Sequence, residues 1–311
     1  MPNDTTSAVI ALAITLIGAP IIPGLAARTK AMMTGRRGSP IWQLYADLAK
    51  LGRRGVVYST VTTWVFRLAP IVVLVATCVA ASLVPLDGRK ALLRFSGDAI
   101  AFAYLLALGR FATVLAALDT GSSFEGMGAS REVTFASVVE PGVFVGLATL
   151  GVIARDSSLS VMLGGTALRT ASAATAPSLV MVAMSLFALV LAECARVPVD
   201  DPATHLELTM VHEVMILDTS GPDLAMMLYA NALKLGVFSA IIVDVLIAAP
   251  RAAGWVGAAT GIAILLGGFA VVGIGIGIVE SVMARLRLPK VPLYIAGGGA
   301  LALFGLILVL R

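Results

Sequence analysis

The chain has 311 residues, of which 59% are hydrophobic and only 13% charged, and its mean hydropathy is +0.98. Soluble domains are nearer half apolar and a quarter charged, so composition excludes an ordinary water-soluble fold. The net charge of +4 is small and does not point to a nucleic-acid partner. A run of about 20 apolar residues is long enough to cross a hydrocarbon core. Eight such runs occur, over residues 7–27, 61–84, 98–120, 133–153, 175–195, 224–249, 255–280 and 291–310. They predict an all-α polytopic membrane protein with about eight transmembrane helices in a single integral membrane domain, 1–311. The length and continuity of the runs exclude a β-barrel.

The first run has no positive charge ahead of its apolar core and carries Asp4 instead, so it is expected to be the first span and not a cleavable signal. Pro20 and Pro23 in that span and Pro70 in the second predict kinks. The loops after spans 1, 3, 5 and 7 hold 12 Lys and Arg residues, the remaining loops and termini hold 7, and Arg67, Arg110 and Lys234 lie within spans. By the positive-inside rule the odd-numbered loops face the cytoplasm and both termini face outward. Arg67, near a helix end, can snorkel.

In the first loop, Ile41, Leu44, Tyr45, Leu48 and Leu51 recur at three- and four-residue intervals, with Gln43, Asp47, Lys50 and Arg54 on the other side and Arg36 and Arg37 before them. This predicts an amphipathic helix along the membrane surface. Either it is a lipid anchor or it forms the lip of a site or docking surface.

Charge inside an apolar helix costs a few kcal/mol and calls for a protein interior, water or an opposite charge. Glu140 is placed about 10 Å into the fourth span by the 1.5 Å rise per residue. Arg110 and Lys234 fall near the middle of the third and sixth spans, and Asp244 continues along the sixth. They are read either as static ion pairs that fix helix register or as a connected polar interior.

The segment between spans 5 and 6 gathers seven of the 18 acidic residues, together with both histidines, into residues 191–223. Glu193 and Arg196 are spaced for a pair one helical turn apart. VPVDDPA breaks the helix at its prolines. The following HLELTMVHEVMIL has apolar spacing for a short re-entrant or surface helix bearing Glu207 and Glu213, giving a long structured loop. Half-buried carboxylates of this kind suit proton exchange. His205 and His212 are too far apart for a metal pair one turn apart and are read as supporting or proton-exchanging groups.

Cys78 and Cys194 lie in or at the end of apolar helices and read as buried structural thiols. Iron-sulfur ligation needs about four thiolates, so the chain is expected to hold no cofactor and no metal. GIGIGIV at 273–279 follows no strand and sits inside a membrane span, so it reads as close helix packing and not as a dinucleotide fingerprint. The same holds for GGGA at 297–300. No internal repeat or broken-helix pair supports a transporter working alone.

Three stretches carry a resemblance: AECARVPVDDPATHLELTMVHEVMILDTSGPDLAM at 192–226, RGSPIWQLYADLAKL at 37–51 and LDTGSSFEGMGASREVTFASVVEP at 118–141. Together they resemble the subunit 1 family of respiratory complex I. The closer likeness is to its hydrogenase branch, the membrane subunits of formate hydrogenlyase and hydrogenase-4 type nickel-iron hydrogenases. The likeness covers nearly the whole chain. It implies an eight-helix membrane subunit that docks a peripheral hydrogenase module and borders a proton or sodium path. It also implies partners: a nickel-iron large subunit, a small iron-sulfur subunit, a ferredoxin-like subunit and an antiporter-like membrane subunit. Those partners would carry the iron-sulfur clusters and the nickel-iron centre.

Carried over by position, Glu193, Arg196, Asp200 and Glu207 match the family pattern, Glu140 matches its intramembrane glutamate after a loop arginine, here Arg131, and Asp47 and Lys50 match its ADLxKL signature. The chain departs from the complex I members at Ala203 and His205. It also has Asp218 and Thr219 where they commonly have a Glu-Tyr pair, which weakens a quinone site. Together with the intramembrane and loop charges read above, the resemblance gives an expected ion path of Glu140, Glu193, Glu207, Glu213, Asp218, Lys234, Arg110 and Asp244. Arg36, Arg37, Gln43, Asp47, Lys50, Arg131, Arg196, Asp200 and His205 are implied in docking or structural polar roles. A quinone-site subunit of a complex I-like dehydrogenase is the alternative.

Overall fold

The computed structural model describes residues 4–164, 175–200, 210–247 and 254–311, and among these residues every regular element is a helix. In chain order they are α1 (Asp4–Gly18), α2 (Ile21–Met33), α3 (Gln43–Gly52), α4 (Trp64–Leu83), α5 (Asp98–Asp119) and α6 (Ser123–Ala154). The single turn α7 (Leu159–Met162) and α8 (Ala176–Glu193) follow. After them come the single turn α9 (His212–Met215), α10 (Gly221–Leu246), α11 (Gly254–Val282) and α12 (Val291–Leu310).

Seven of these helices are long and apolar enough to cross a membrane, and α1 with α2, bent by 44°, supplies an eighth crossing when taken as one span. The bend has a local cause: Pro20 caps α2 without an amide hydrogen and Pro23 lies in its first turn. A break in a membrane helix frees carbonyls that lipid cannot satisfy. Here the Tyr229 hydroxyl donates to the Leu16 carbonyl at 2.8 Å and the Tyr45 hydroxyl donates to the Ile17 carbonyl.

The connections sort by parity, as alternating crossings require. At one end, the Val57 amide donates to Ser220 Oγ at 3.1 Å, the Tyr58 hydroxyl to Asp223 Oδ2 at 2.8 Å and the Leu286 amide to the Pro198 carbonyl at 2.9 Å. At the other end, the Ala91 amide donates to Ser160 Oγ at 2.9 Å and the Leu159 amide to Asp98 Oδ1 at 2.6 Å. The amphipathic helix expected in the first loop is α3, which lies against α2 and α10 with none of its residues fully buried.

Close approach at small residues holds the bundle together. A Cβ on Gly277 would lie 2.6 Å from the Ala26 carbonyl oxygen, and one on Gly142 would lie 2.9 Å from Leu189 Cδ1 and 3.2 Å from Gly299 Cα. GIGIGIV is therefore the surface on which α11 meets α2, and Gly298 and Gly299 belong to the α6, α8 and α12 contact, whereas Gly297 faces open space. Large apolar side chains such as Ile71, Phe111, Val271, Leu293 and Phe304 point outward, as a lipid-facing surface demands.

One boundary is corrected. The fourth crossing begins at Ser123, ten positions before the expected 133, and α6 is 32 residues long. Only Thr120, Gly121 and Ser122 separate it from α5. Its polar first half reads as a loop in the sequence, yet each charge there is satisfied by the rest of the protein. Glu125 Oε1 accepts the Asp218 amide at 3.1 Å, Arg131 Nη1 donates to the Met210 carbonyl at 2.9 Å and Glu132 accepts from Arg110 Nε at 3.1 Å.

Candidate functional site

The middle of the bundle is occupied by a cation surrounded by carboxylates. Arg110 of α5 directs Nε to Glu132, Nη1 to Glu140 and Nη2 to Glu193, and its side chain is 9% exposed. Lys234 Nζ of α10 stands 3.5 Å from the second oxygen of Glu193. Glu132 and Glu140 are eight residues apart on α6, a spacing that repeats after about two turns and puts both on one helix face. Three carboxylates and two cations thus meet from four helices. The planar guanidinium presents its donors as a fixed fork, so Arg110 addresses the three acids in three set directions. Burying any one of these charges alone costs several kcal/mol, and the mutual pairing offsets that cost.

Small cavities are strung through this centre. One of about 30 Å³ is lined by Arg110, Glu132, His212, Asn231 and Lys234. Another of about 10 Å³ touches Arg110, Glu132, Glu193 and Asp200, and a third of about 20 Å³ touches Arg110, Glu140, Glu193 and Phe144. A larger one, about 140 Å³, lies toward α3 and is lined by Leu44, Cys194, Arg196, His212, Glu213 and Asn231. A cavity needs roughly 10–15 Å³ to hold one water and two to four polar partners to keep it, so each of these is roomy and polar enough. Asn231 Oδ1 is buried with no hydrogen-bond partner between the two cavities it lines, which marks a place for water.

The rim is built by α9 and by residues 194–200. Asp200 is 2% exposed, accepts both the Val211 and His212 amides at 3.1 Å and receives Arg285 Nη2 at 3.1 Å. It therefore fixes the position at which His212 enters. Gly128 on α6 lets this turn close down, since a Cβ there would meet Val214 Cγ1 at 2.3 Å. Loss of solvent pushes the His212 imidazole down to about 4, with Lys234 and Arg110 adding in the same direction against Glu193. His212 is thus a neutral hydrogen-bonding group at neutral pH. Burial pushes the Cys194 thiol up to about 11, leaving an inert thiol in the cavity wall.

Of the residues singled out in the sequence, Glu140, Arg110, Glu193 and Lys234 come together at the centre, and Glu213 and Arg196 line the larger cavity. The expected Glu193–Arg196 pair does not form. The helix ends at Glu193 and Ala195 takes a left-handed φ of 51°, which swings Arg196 to Glu280 at 3.5 Å. Asp218 is exposed and meets Glu125 only through its backbone, and Asp244 lies at the far end of α10, away from Arg110. Both stand apart from the charge centre. Arg36, Arg37 and Lys50 are exposed, and Gln43 Nε2 donates to Asp47 Oδ1 at 3.0 Å along α3. Arg131 braces the rim at Met210, as given above. Glu207 and His205 lie outside the described residues.

Glu132, Glu280 and Asn231 are members of this region that the sequence reading left out. Glu132 was hidden by the misplaced start of the fourth span. Glu280 sits as a single acid at a span end, where it also faces Lys30 at 3.9 Å.

Known proteins match this arrangement. A family model described as NADH dehydrogenase matches residues 6–309. Hydrogenase-4 component C of Escherichia coli (strain K12) is 34% identical over 239 residues, covering 77% of this chain and 74% of its own length. Formate hydrogenlyase subunit 4 of the same organism is 35% identical over 142 residues, 46% of each chain. In the structure of the membrane-bound sulfane sulfur reductase, an archaeal respiratory membrane complex, one chain superposes with a TM-score of 0.82 at 18% identity, over 97% of this chain and 98% of that one.

Proposed function

The chain belongs to the NADH dehydrogenase family, the subunit 1 family of complex I, and on that premise we propose that it is the membrane-anchoring and ion-coupling subunit of a membrane-bound nickel-iron hydrogenase complex. In this reading the end carrying α3, α9 and the Lys- and Arg-rich loops faces the cytoplasm, both termini face outward, and the peripheral electron-transfer module docks on the cytoplasmic end. Iron-sulfur clusters and the nickel-iron centre reside in those partner subunits. The relatives named hydrogenase-4 component C and formate hydrogenlyase subunit 4 support the choice of complex.

The observation that carries the coupling role is the Arg110 centre with its cavities. Protons, or sodium ions, would enter through the cavity beside His212 and Glu213 and reach Glu132, Glu193 and Glu140. Glu140 is the most open member, with its side chain 40% exposed beside Phe144. A carboxylate this open in the middle of a membrane helix calls for water or protein beside it. An antiporter-like membrane partner seated on that face supplies the continuation. Against the quinone-site alternative stands the cavity volume of about 140 Å³, since pockets that enclose such ligands usually run to roughly 300–1,000 Å³.

Glu140→Gln tests the role. It keeps the shape and removes the titration, so the complex should assemble and turn over hydrogen with an artificial donor while gradient-linked activity falls. Unchanged coupling in membranes with normal complex yield would refute a path through Glu140, and lost yield would reduce it to a structural counter-charge.

A further inference from the structure

At the end of the bundle away from α3 and α9, the connection between α4 and α5 turns inward. Val84, Leu86 and Asp87 are each no more than 5% exposed. Asp87 presses on α11 so closely that a Cβ on Gly261 would lie 2.5 Å from the Asp87 carbonyl oxygen. Gly88, at a φ of 68°, turns the chain out again, a conformation glycine adopts without strain. The effect is to carry one carboxylate into the end of a membrane bundle.

A second carboxylate is waiting there. Asp244 of α10 is 5% exposed and Asp87 3% exposed, and the two act on each other through space. Asp87 Oδ1 accepts the Arg89 amide at 3.1 Å, and the Ser7 hydroxyl donates to the same carboxylate. The Oδ2 atoms of both residues are buried with no hydrogen-bond partner. The charged groups facing the pair differ. The Arg89 side chain acts on Asp87, whereas among the described residues the charge acting on Asp244 is that of Asp87 itself.

Two buried carboxylates whose charges reach each other are doubly disfavoured as anions, by desolvation and by repulsion. A protonated carboxyl carries one O–H to donate, which is what an orphaned acceptor oxygen beside it lacks. Arg89 decides the asymmetry, because a nearby cation favours the ionised form of Asp87 and nothing comparable favours that of Asp244. We propose that Asp87 and Asp244 form a proton-binding site at the end of the membrane domain away from α3 and α9, with one proton belonging to the pair and resident on Asp244. Arg89 and Lys90, which follow Gly88 outward and become progressively exposed, mark the short way from the pair to water. The site lies about 15 Å along α10 from Lys234, ten residues at 1.5 Å each. It goes beyond the coupling role and does not depend on it.

The test is infrared spectroscopy of the assembled complex, which detects the carbonyl stretch of a protonated carboxyl and its shift on deuterium exchange. At neutral pH a band is expected in the wild type, lost in Asp244→Asn and kept in Asp87→Asn, whose amide oxygen still offers an acceptor to the proton on Asp244. Absence of the band, or a band indifferent to Asp244→Asn, overturns the proposal. Loss of the band on adding sodium chloride in place of potassium chloride also overturns it, by showing that a metal cation occupies the site. Yield is the second measurement. A neutral amide replaces a neutral acid in Asp244→Asn, so the variant should assemble at wild-type level, and failure to assemble would mean that the site needs a charged aspartate.

Discussion

Two groups of buried carboxylates occupy the same bundle and are neutralised by different means. At the Arg110 centre, three acids face two cations from neighbouring helices. At the Asp87 and Asp244 end, two buried acids act on each other with an arginine beside one of them, and each keeps an unpartnered oxygen. The difference follows from what the helices offer. α5 and α10 each place one basic side chain at mid-membrane, whereas the inward turn after α4 places only an acid. Counter-ions make a centre rigid, since each partner is held by geometry. A proton can leave without moving any heavy atom, so the second arrangement is the more readily switched.

The largest effect expected from this contrast comes from Arg110→Met. It removes the one group that three carboxylates address and leaves them to Lys234, which among the described residues meets only Glu193 within 4 Å. Stranding buried charge in this way costs about 3–5 kcal/mol, enough to abolish assembly of a marginally stable membrane subunit. Complex yield in solubilised membranes is the measurement, taken beside the near-normal yield expected for Asp244→Asn. If Arg110→Met assembles as well as wild type, the centre is not held by its cation and the contrast fails.

A moderate effect should separate the two ends by pH. The folded-state pKa of His212 is depressed to about 4 from 6.5. Below pH 6.5 the unfolded chain binds this proton first, so the stability His212 contributes is present above 6.5 and is lost as the pH falls toward 4. Asp87 is shifted the other way: burial holds its carboxyl above the ordinary 3.8, outweighing the Arg89 and Ser7 contacts. Its contribution is present in acid and is lost as the pH rises through the elevated value. Thermal unfolding of the detergent-solubilised complex should therefore lose its acid-side decline in His212→Gln and its opposite slope in Asp87→Asn. Identical pH profiles for the two variants would show that the ends do not differ in this way.

How much of this could be read from the sequence depends on the kind of signal. The crossings were legible because a bilayer demands long apolar runs, and α3 was legible because its apolar residues recur at three and four. Arg110, Glu140, Glu193 and Lys234 were legible because charge in such runs is costly and must be answered. Glu132 was not, since REV at the head of a helix looks like a loop until Arg110 and Met210 are seen to satisfy its charges. The Glu193–Arg196 pairing failed because spacing assumes a continuing helix, and the left-handed Ala195 ends it. Asp87 was hidden for the opposite reason. PLDGRK has the composition of a surface turn, and nothing in its local pattern reveals that α11 and α10 receive it.

The smallest effect tests the placement of Asp218, which the sequence reading put on the ion path. The side chain is exposed, and its link to the buried region runs through its backbone amide to Glu125 Oε1 at 3.1 Å. Asp218→Asn keeps that amide and removes only a solvated charge, a class of change that usually alters stability by less than about 0.5 kcal/mol. Screening by salt shrinks any long-range influence on Lys234 further. Complex yield, hydrogen turnover with an artificial donor and gradient-linked activity should all match the wild type. A selective fall in gradient-linked activity would place Asp218 at the mouth of the path after all, and the entry would then have to be drawn past Glu125 and not past His212.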